Sequence, residues 1–325
     1  MKQKILLFSI ILPIYNGEDT LVPVLDSIKN QTNKNFELIL YDDASTDQSA
    51  VLVNDWLNNY DGEVTFIRGL NNKGAHFRVT QGLKVSKGRY VVLSAQDNIF
   101  STNRLNYVAS VIMKNPNCRL ITHDIFCGST DHLRRNIGWH TKALINYTKI
   151  SLLKLLFFRS TLFAHDTTIY QREALDKFAS FINYSPIEDI VLSVNFFLNK
   201  DNTNEFQIHN HIKKPLIYKI KSKKSQTYAK PTIINHQFIK FVRKQPIGFV
   251  VKNVIISSSE IMALVRSDST VKKLLRVMRK PLFPLALLAL TLRLTINKLL
   301  TSKVDIPDKF FIETNLENNK NETSK

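Results

Sequence analysis

Cysteine is nearly absent: Cys118 and Cys127 are the only two in 325 residues, and their spacing matches no metal-ligand pattern. That excludes a disulfide framework, points to a reducing compartment, and leaves both thiols as small core side chains. No Gly-x-Gly-x-x-Gly follows the first apolar run and no Gly-Lys-Ser/Thr phosphate loop occurs, which excludes dinucleotide and P-loop sites. A membrane-spanning helix needs about 20 apolar residues. The best stretch here, 285–292, is short, preceded by Pro281 and Pro284 and followed by Arg293. The apolar run over 5–12 follows two lysines like a leader peptide, but Pro13 comes at once and no small-residue cleavage site appears. It reads as a buried first strand, and the protein as cytoplasmic.

Acidic residues are missing from one part of the chain. Between Lys213 and Lys298, nineteen Lys or Arg stand against only Glu260 and Asp268, so +17 of the net +18 lies there. The first two-thirds is close to neutral, which argues against a nucleic-acid reader spread over the fold. Within the basic segment, Val271, Leu274, Leu275, Met278 and Leu282 share one helical face, with Lys272, Lys273, Arg276, Arg279 and Lys280 largely elsewhere. A basic amphipathic helix of this kind suits the interface of an anionic membrane. Packing on the rest of the chain, or a homodimer contact, is the competing reading. Residues 305–325, rich in Asn, Glu and Lys, read as a loose tail.

What is present begins with a globular balance of 44% apolar and 22% charged residues. Apolar strand patterns at 5–14, 36–41, 64–68 and 90–93 alternate with helical patterns at 20–29, 46–59 and 77–85, which predicts a parallel, doubly wound α/β sheet. Thr20 or Asp19 is positioned to cap the first helix. A polar cluster follows each strand: Tyr15-Asn16, Asp42-Asp43, Asn72-Lys73 and Gln96-Asp97. Each alone is an ordinary turn, and Asp97 alone reads equally as a helix cap. Together they fall where open α/β sheets bind ligands, beyond the carboxyl ends of the strands. Further strands are expected at 119–125 and 167–170, with helices at 103–114 and 171–181. Ser185-Pro-Ile-Glu-Asp189 opens an apolar helix, where paired carboxylates either complement the exposed N–H groups or serve as a base of raised pKa.

The ordered pieces Ser-Ile-Ile-Leu-Pro-Ile-Tyr-Asn16, Phe36-Glu-Leu-Ile-Leu-Tyr-Asp-Asp-Ala-Ser-Thr-Asp47, Asn72-Lys-Gly74, Gly82-Leu and Lys87-Gly-Arg-Tyr90 resemble the family-2 glycosyltransferases over about residues 9–218. The resemblance implies a GT-A-like, mostly parallel α/β sheet and an inverting transfer of sugar from a nucleotide-diphosphate donor, UDP-sugar foremost, to an acceptor hydroxyl. It places Pro13 and Tyr15 beside the nucleoside and gives Asp43 the uracil imide. It gives Asp97 a Mg²⁺ or Mn²⁺ on the donor diphosphate. Asp189 becomes the general base, and Glu188 a positioning or acceptor residue. The chain departs from the family where Ser94-Ala-Gln-Asp97 replaces a more acidic metal motif. Gln96 can reach ribose or sugar but adds no charge. Arg78 stands one place early relative to the family's Arg-Asn pair and receives no role, and Lys221 replaces a frequent histidine. His165-Asp166 is either an acceptor-side sugar contact or a structural pair. His209 and His211 have no third ligand for zinc.

The domains read from this are a catalytic domain over 1–230, a basic helical, membrane-associating extension over 231–304, and the tail. The acceptor is expected to be a glycan or lipid-linked hydroxyl at the inner face of the cell membrane. The alternative is a non-catalytic, membrane-associated protein that binds nucleotide-sugar or carbohydrate.

Overall fold

The computed structural model describes residues 6–129, 132–136, 165–176, 209–220, 236, 239–244, 253, 255–257, 284 and 288. The chain alternates as expected: β1 (Phe8–Ile14), α1 (Leu21–Lys29), β2 (Phe36–Asp42), α2 (Ser49–Leu57), β3 (Glu63–Arg68), α3 (Ala75–Val85) and β4 (Tyr90–Leu93). There follow β5 (Asn98–Phe100), α4 (Arg104–Lys114), β6 (Leu120–Ser129), β7 (His132–Asn136), a 3₁₀ turn (His165–Thr167), β8 (Thr168–Gln171), α5 (Arg172–Asp176) and β9 (His209–Ile220). They form one sheet in the order β3-β2-β1-β4-β8-β6-β9-β5, with β7 paired to β6.

Strands β3, β2, β1 and β4 are parallel neighbours. β1 is buried on both faces except at Pro13, because helices cover it. β3, at the sheet edge, alternates in exposure instead. Beyond β4 the sheet turns mixed: β8 runs antiparallel to β4 and β6, and β9 is parallel to β6 but antiparallel to β5. β5, three residues long, follows β4 after a four-residue link but pairs only with β9, at the far edge of the sheet. β9 carries a bulge where Asp124 pairs with Pro215 after His123 pairs with Ile212. Proline has no N–H for the ladder, so it belongs at such an irregularity.

The core lies between this sheet and its helices. α1 contributes Leu21, Val24, Leu25 and Ile28, the face expected from the sequence. Thr20 precedes that helix without a side-chain cap bond; its hydroxyl donates back to the Gly17 carbonyl at 3.5 Å. α3 lies close on β1 because Gly82 has no Cβ, which would come within 2.6 Å of Ile11 Cγ2. Cys118 is fully buried, as its reading as a core side chain required.

Register sets the site. Ile14, Asp42 and Arg68 lie side by side at the ends of β1, β2 and β3. β4 ends at Leu93, opposite Ile11, so the link 94–97 runs alongside the last residues of β1. Most of the basic segment, including 271–282, lies outside the described residues. Among those described, no helix is long and apolar enough to cross a membrane.

Candidate functional site

Two loops beyond β1 and β2 are locked together by short polar side chains. Asn16 adopts a positive φ of 48°, where asparagine is tolerated better than most residues. Its N–H donates to Ser45 Oγ and its Oδ1 accepts from the Thr46 N–H. Gly17 N–H donates to Ser49 Oγ, Glu18 N–H to Asp47 Oδ2, and Gln48 N–H to Glu18 Oε2. Asp42 accepts from the Ser45 N–H on one oxygen and meets Arg68 at 3.3 Å on the other. The acidic loop after β2 is thus largely devoted to holding its own shape and that of its neighbour.

That lock presents Tyr15, 37% exposed, at the end of β1. Its position is set from the β4 side by Gln96. The Tyr15 N–H donates to Gln96 Oε1 at 2.8 Å, and Gln96 Nε2 donates to the Tyr15 carbonyl at 2.9 Å. Both ends of the Gln96 amide are therefore engaged by backbone. A Cβ on Gly17 would sit 2.6 Å from Gln96 Oε1, so glycine makes room for this clamp.

Asp43, only 1% exposed, collects three donors. The Lys73 and Gly74 N–H groups reach it at 2.9 and 2.7 Å, and Arg78 Nε at 2.5 Å. Gly74, at φ 90°, turns the chain so that both amides face the carboxylate. Arg78, left without a role by the sequence reading, is a buried cation here. Its guanidinium pairs with Asp43, donates to the Asn71 carbonyl, and lies 4.6 Å above the Tyr41 ring. Being one helix position early does not matter, because the long side chain reaches back to the β2 end.

Asp97 lies where three elements meet: the β4–β5 link, the 165–167 turn and β9. It is buried, at 7% exposure, and its Oδ1 has no hydrogen-bond partner. Lys219 Nζ stands 3.8 Å from that oxygen and 2.6 Å from Asp166 Oδ2. Asn98 Nδ2 donates to the other Asp166 oxygen at 2.7 Å. Burial pushes the Asp97 carboxyl above its ordinary range, an effect Lys219 offsets and Asp166 reinforces. Burial acts the same way on Asp166, but Lys219, Asn98 and His165 together bring it below the ordinary range. The 165–167 turn is held from behind by Arg104, whose Nη2 donates to the Asp166 carbonyl and whose Nε donates to His123 Nε2.

A buried, unpartnered carboxylate oxygen suits a hard divalent cation. Among the described residues no three His, Cys, Asp or Glu side chains cluster as a metal cage.

Pro13, Tyr15, Asp43, Gln96 and Asp97 are thus brought to one edge of one sheet. Asp189, Glu188 and Lys221 lie outside the described residues. Asp166 had been noticed only as half of a sugar-binding or structural pair. Lys219 was missed among the many lysines of its segment; its signal was its place in a strand pairing back to the β4–β5 link.

The sequence profile described as Glycosyl transferase family 2 matches residues 9–179. An uncharacterized glycosyltransferase of Haemophilus influenzae is 34% identical over 121 residues, which is 37% of this chain and 40% of that protein. A PGL/p-HBAD biosynthesis glycosyltransferase of Mycobacterium bovis is 28% identical over 195 residues, 59% of this chain and 70% of its own length. The solved structure of S. aureus TarS 1-349 in complex with UDP-GlcNAc superposes with a TM-score of 0.60 at 17% identity, over 93% of this chain and 95% of that one. Profile and superposition together show that the chain belongs to glycosyl transferase family 2, with the GT-A fold.

Proposed function

We propose that this chain is an inverting glycosyltransferase that takes a sugar from a nucleotide-diphosphate donor, UDP foremost, and passes it to a hydroxyl of a lipid-linked or growing polysaccharide. The observation that carries this reading is the meeting of Tyr15, Asp43 and Asp97 at adjacent strand ends, with Asp97 Oδ1 buried and unpartnered. UDP-GlcNAc in the TarS complex favours a uridine donor.

Each residue has a task on this reading. Pro13 and the Tyr15 ring border the nucleoside. Gln96 acts on the donor through Tyr15, whose backbone it holds. Asp43 takes the base imide. A carboxylate has about four acceptor positions, and three are occupied by the protein, so one remains for that N–H. Asp97 would hold Mg²⁺ or Mn²⁺, which would supply positive charge where the diphosphate departs. Asp189 takes the proton of the attacking acceptor hydroxyl, and Glu188 positions it. The basic, acid-poor segment over 213–298 brings the enzyme to the anionic inner face of the membrane, where a lipid-linked acceptor resides.

The test is donor turnover by Asp189→Asn, with nucleotide binding measured beside it. The expected result is retained binding and a loss of transfer of about a thousandfold, the scale of a removed general base. Undiminished transfer removes Asp189 from the mechanism. Donor binding without transfer in the unaltered protein would instead favour a non-catalytic nucleotide-sugar-binding role.

A further inference from the structure

The Asp97 centre already contains a cation of its own. Lys219 lies directly across the ladder from Asn98, and the next residue, Ile220, donates its N–H to the Asp97 carbonyl at 2.9 Å. The lysine is thereby fixed to the same link that carries Asp97. Its ammonium is drawn to 2.6 Å from Asp166, which is oriented by Asn98 Nδ2 on one side and by Arg104 on its carbonyl. The second carboxylate, Asp97, is at 3.8 Å, beyond a hydrogen bond but well within Coulomb range. Three elements distant in sequence thus bring an ammonium beside Asp97 Oδ1, which is buried and has no hydrogen-bond partner.

Charge counting gives this arrangement a purpose. Asp97 and Asp166 alone would set −2 against a diphosphate, and Lys219 reduces that to −1. A divalent ion on Asp97 would reverse the sign, and among the described residues no cluster of three His, Cys, Asp or Glu side chains surrounds that position. An ammonium tethered to the same centre and one-quarter exposed needs no recruitment from solution. Resting on the donor reading above, we infer that Lys219 is a resident diphosphate cation. It donates to donor phosphate oxygens beside the metal and lets the site bind nucleoside diphosphate without one. Asp166 is its positioning residue. When the anomeric C–O bond breaks, the electron pair stays on the β-phosphate oxygen and Lys219 stabilises it by hydrogen bonding, remaining protonated. The acceptor's proton goes to the general base.

The experiment is calorimetric titration of the full chain with UDP, in EDTA and in Mn²⁺, for the unaltered protein, Lys219→Met, Lys219→Arg and Asp166→Asn, with GDP and dTDP run alongside. The unaltered protein should bind UDP in EDTA within about tenfold of its Mn²⁺ affinity, and Lys219→Met should lose about 30-fold in EDTA, the factor carried by one charge-assisted hydrogen bond. Lys219→Arg should keep most of the metal-free affinity, which also guards against a folding artefact. Asp166→Asn should weaken it, by releasing the ammonium from its place. If Lys219→Met binds UDP in EDTA as the unaltered protein does, Lys219 is only a counter-ion for two carboxylates, and the inference is overturned while the donor reading stands. The same holds if the unaltered protein binds UDP in Mn²⁺ alone. If it binds none of the three nucleotides in either condition, the donor reading itself fails and takes the inference with it.

Discussion

Replacing Arg78 with Met tests whether the buried pair behind the acidic loop organises the nucleoside side of the site. Arg78 and Asp43 are 4% and 1% exposed, so neither charge can be hydrated if the other leaves. Removing one partner of a buried pair costs about 3–5 kcal/mol. Methionine fills much of the same volume and removes the burial of the guanidinium itself, which moves the expectation to the low end. Asp43 also keeps the Lys73 and Gly74 N–H groups. Lost outright are the charge-assisted bonds to Asp43 and to the Asn71 carbonyl, together about 3 kcal/mol, and the stacking on Tyr41, at about 1 kcal/mol, offset by about 1 kcal/mol because the guanidinium no longer has to be buried. The net is about 3 kcal/mol, or roughly 6–12 °C in Tm for a domain of this size. Differential scanning calorimetry reads it directly. Asp43→Asn alone should also destabilise, since its new amide group confronts a donor. The double variant should be less damaged than the two losses added, by about 2 kcal/mol of coupling. An Arg78→Met protein melting within about 2 °C of the unaltered one, or a double variant that is simply additive, refutes the reasoning.

Two further outcomes follow from the same geometry. Gln96→Leu deletes both bonds to the Tyr15 backbone, worth about 1 kcal/mol each, so donor KM should rise by about tenfold with kcat moved less; steady-state kinetics at varied donor concentration check this, and a pure kcat effect would contradict a positioning role. Asp97→Asn should abolish transfer yet raise stability at neutral pH by about 1 kcal/mol, because it removes a buried charge whose Oδ1 no donor satisfies. The sign with pH follows from the raised Asp97 carboxyl. The folded protein binds that proton more tightly than the unfolded chain, so this group's contribution falls as pH rises from about 4 through the folded value and is level above it. Asp166, lowered in the fold, works the other way: its contribution is present above about 4 and lost only in stronger acid. The Tm advantage of Asp97→Asn should therefore grow from about pH 4 upward and then flatten, and a variant less stable than the unaltered protein at pH 7 would contradict it.

Much of the parallel half of the fold was legible because periodicity and burial coincide there. β1 and β2 are apolar without alternation, α1 shows its buried face every third or fourth residue, and each strand stops at a polar cluster. Parallel strands with short links leave little freedom in where those clusters go, so the sequence pattern alone places Tyr15, Asp43 and Asp97 at one sheet edge. The mixed half was not legible. β5 is three residues long, too short for a pattern, and β9 contains Lys213, Lys214 and Pro215, which break the alternation a strand would show. Nothing local says that β9 must pair with β5, and that pairing is what carries Lys219 to Asp97. The same limit applies to Gln96 and Arg78. Their residue types suggested a ligand contact and no role, respectively. Their partners, the Tyr15 backbone and the Asp43 carboxylate, lie 81 and 35 positions away and are chosen by the sheet.

These long-range partners change how the thin acidic motif should be judged. Sequence alone compares Ser94-Ala-Gln-Asp97 with a richer set of carboxylates and counts a loss. In the fold, a second carboxylate is present but comes from the 165–167 turn, and it arrives already neutralised by Lys219. Gln96, standing where another acid would be, could not be an acid here. A carboxylate at that position would face the Tyr15 carbonyl that Gln96 Nε2 now serves, replacing a hydrogen bond with repulsion. The amide fixes the loop that carries Tyr15 and leaves Asp97 Oδ1 without a hydrogen-bond partner, so the motif is divided between positioning and charge rather than simply diminished.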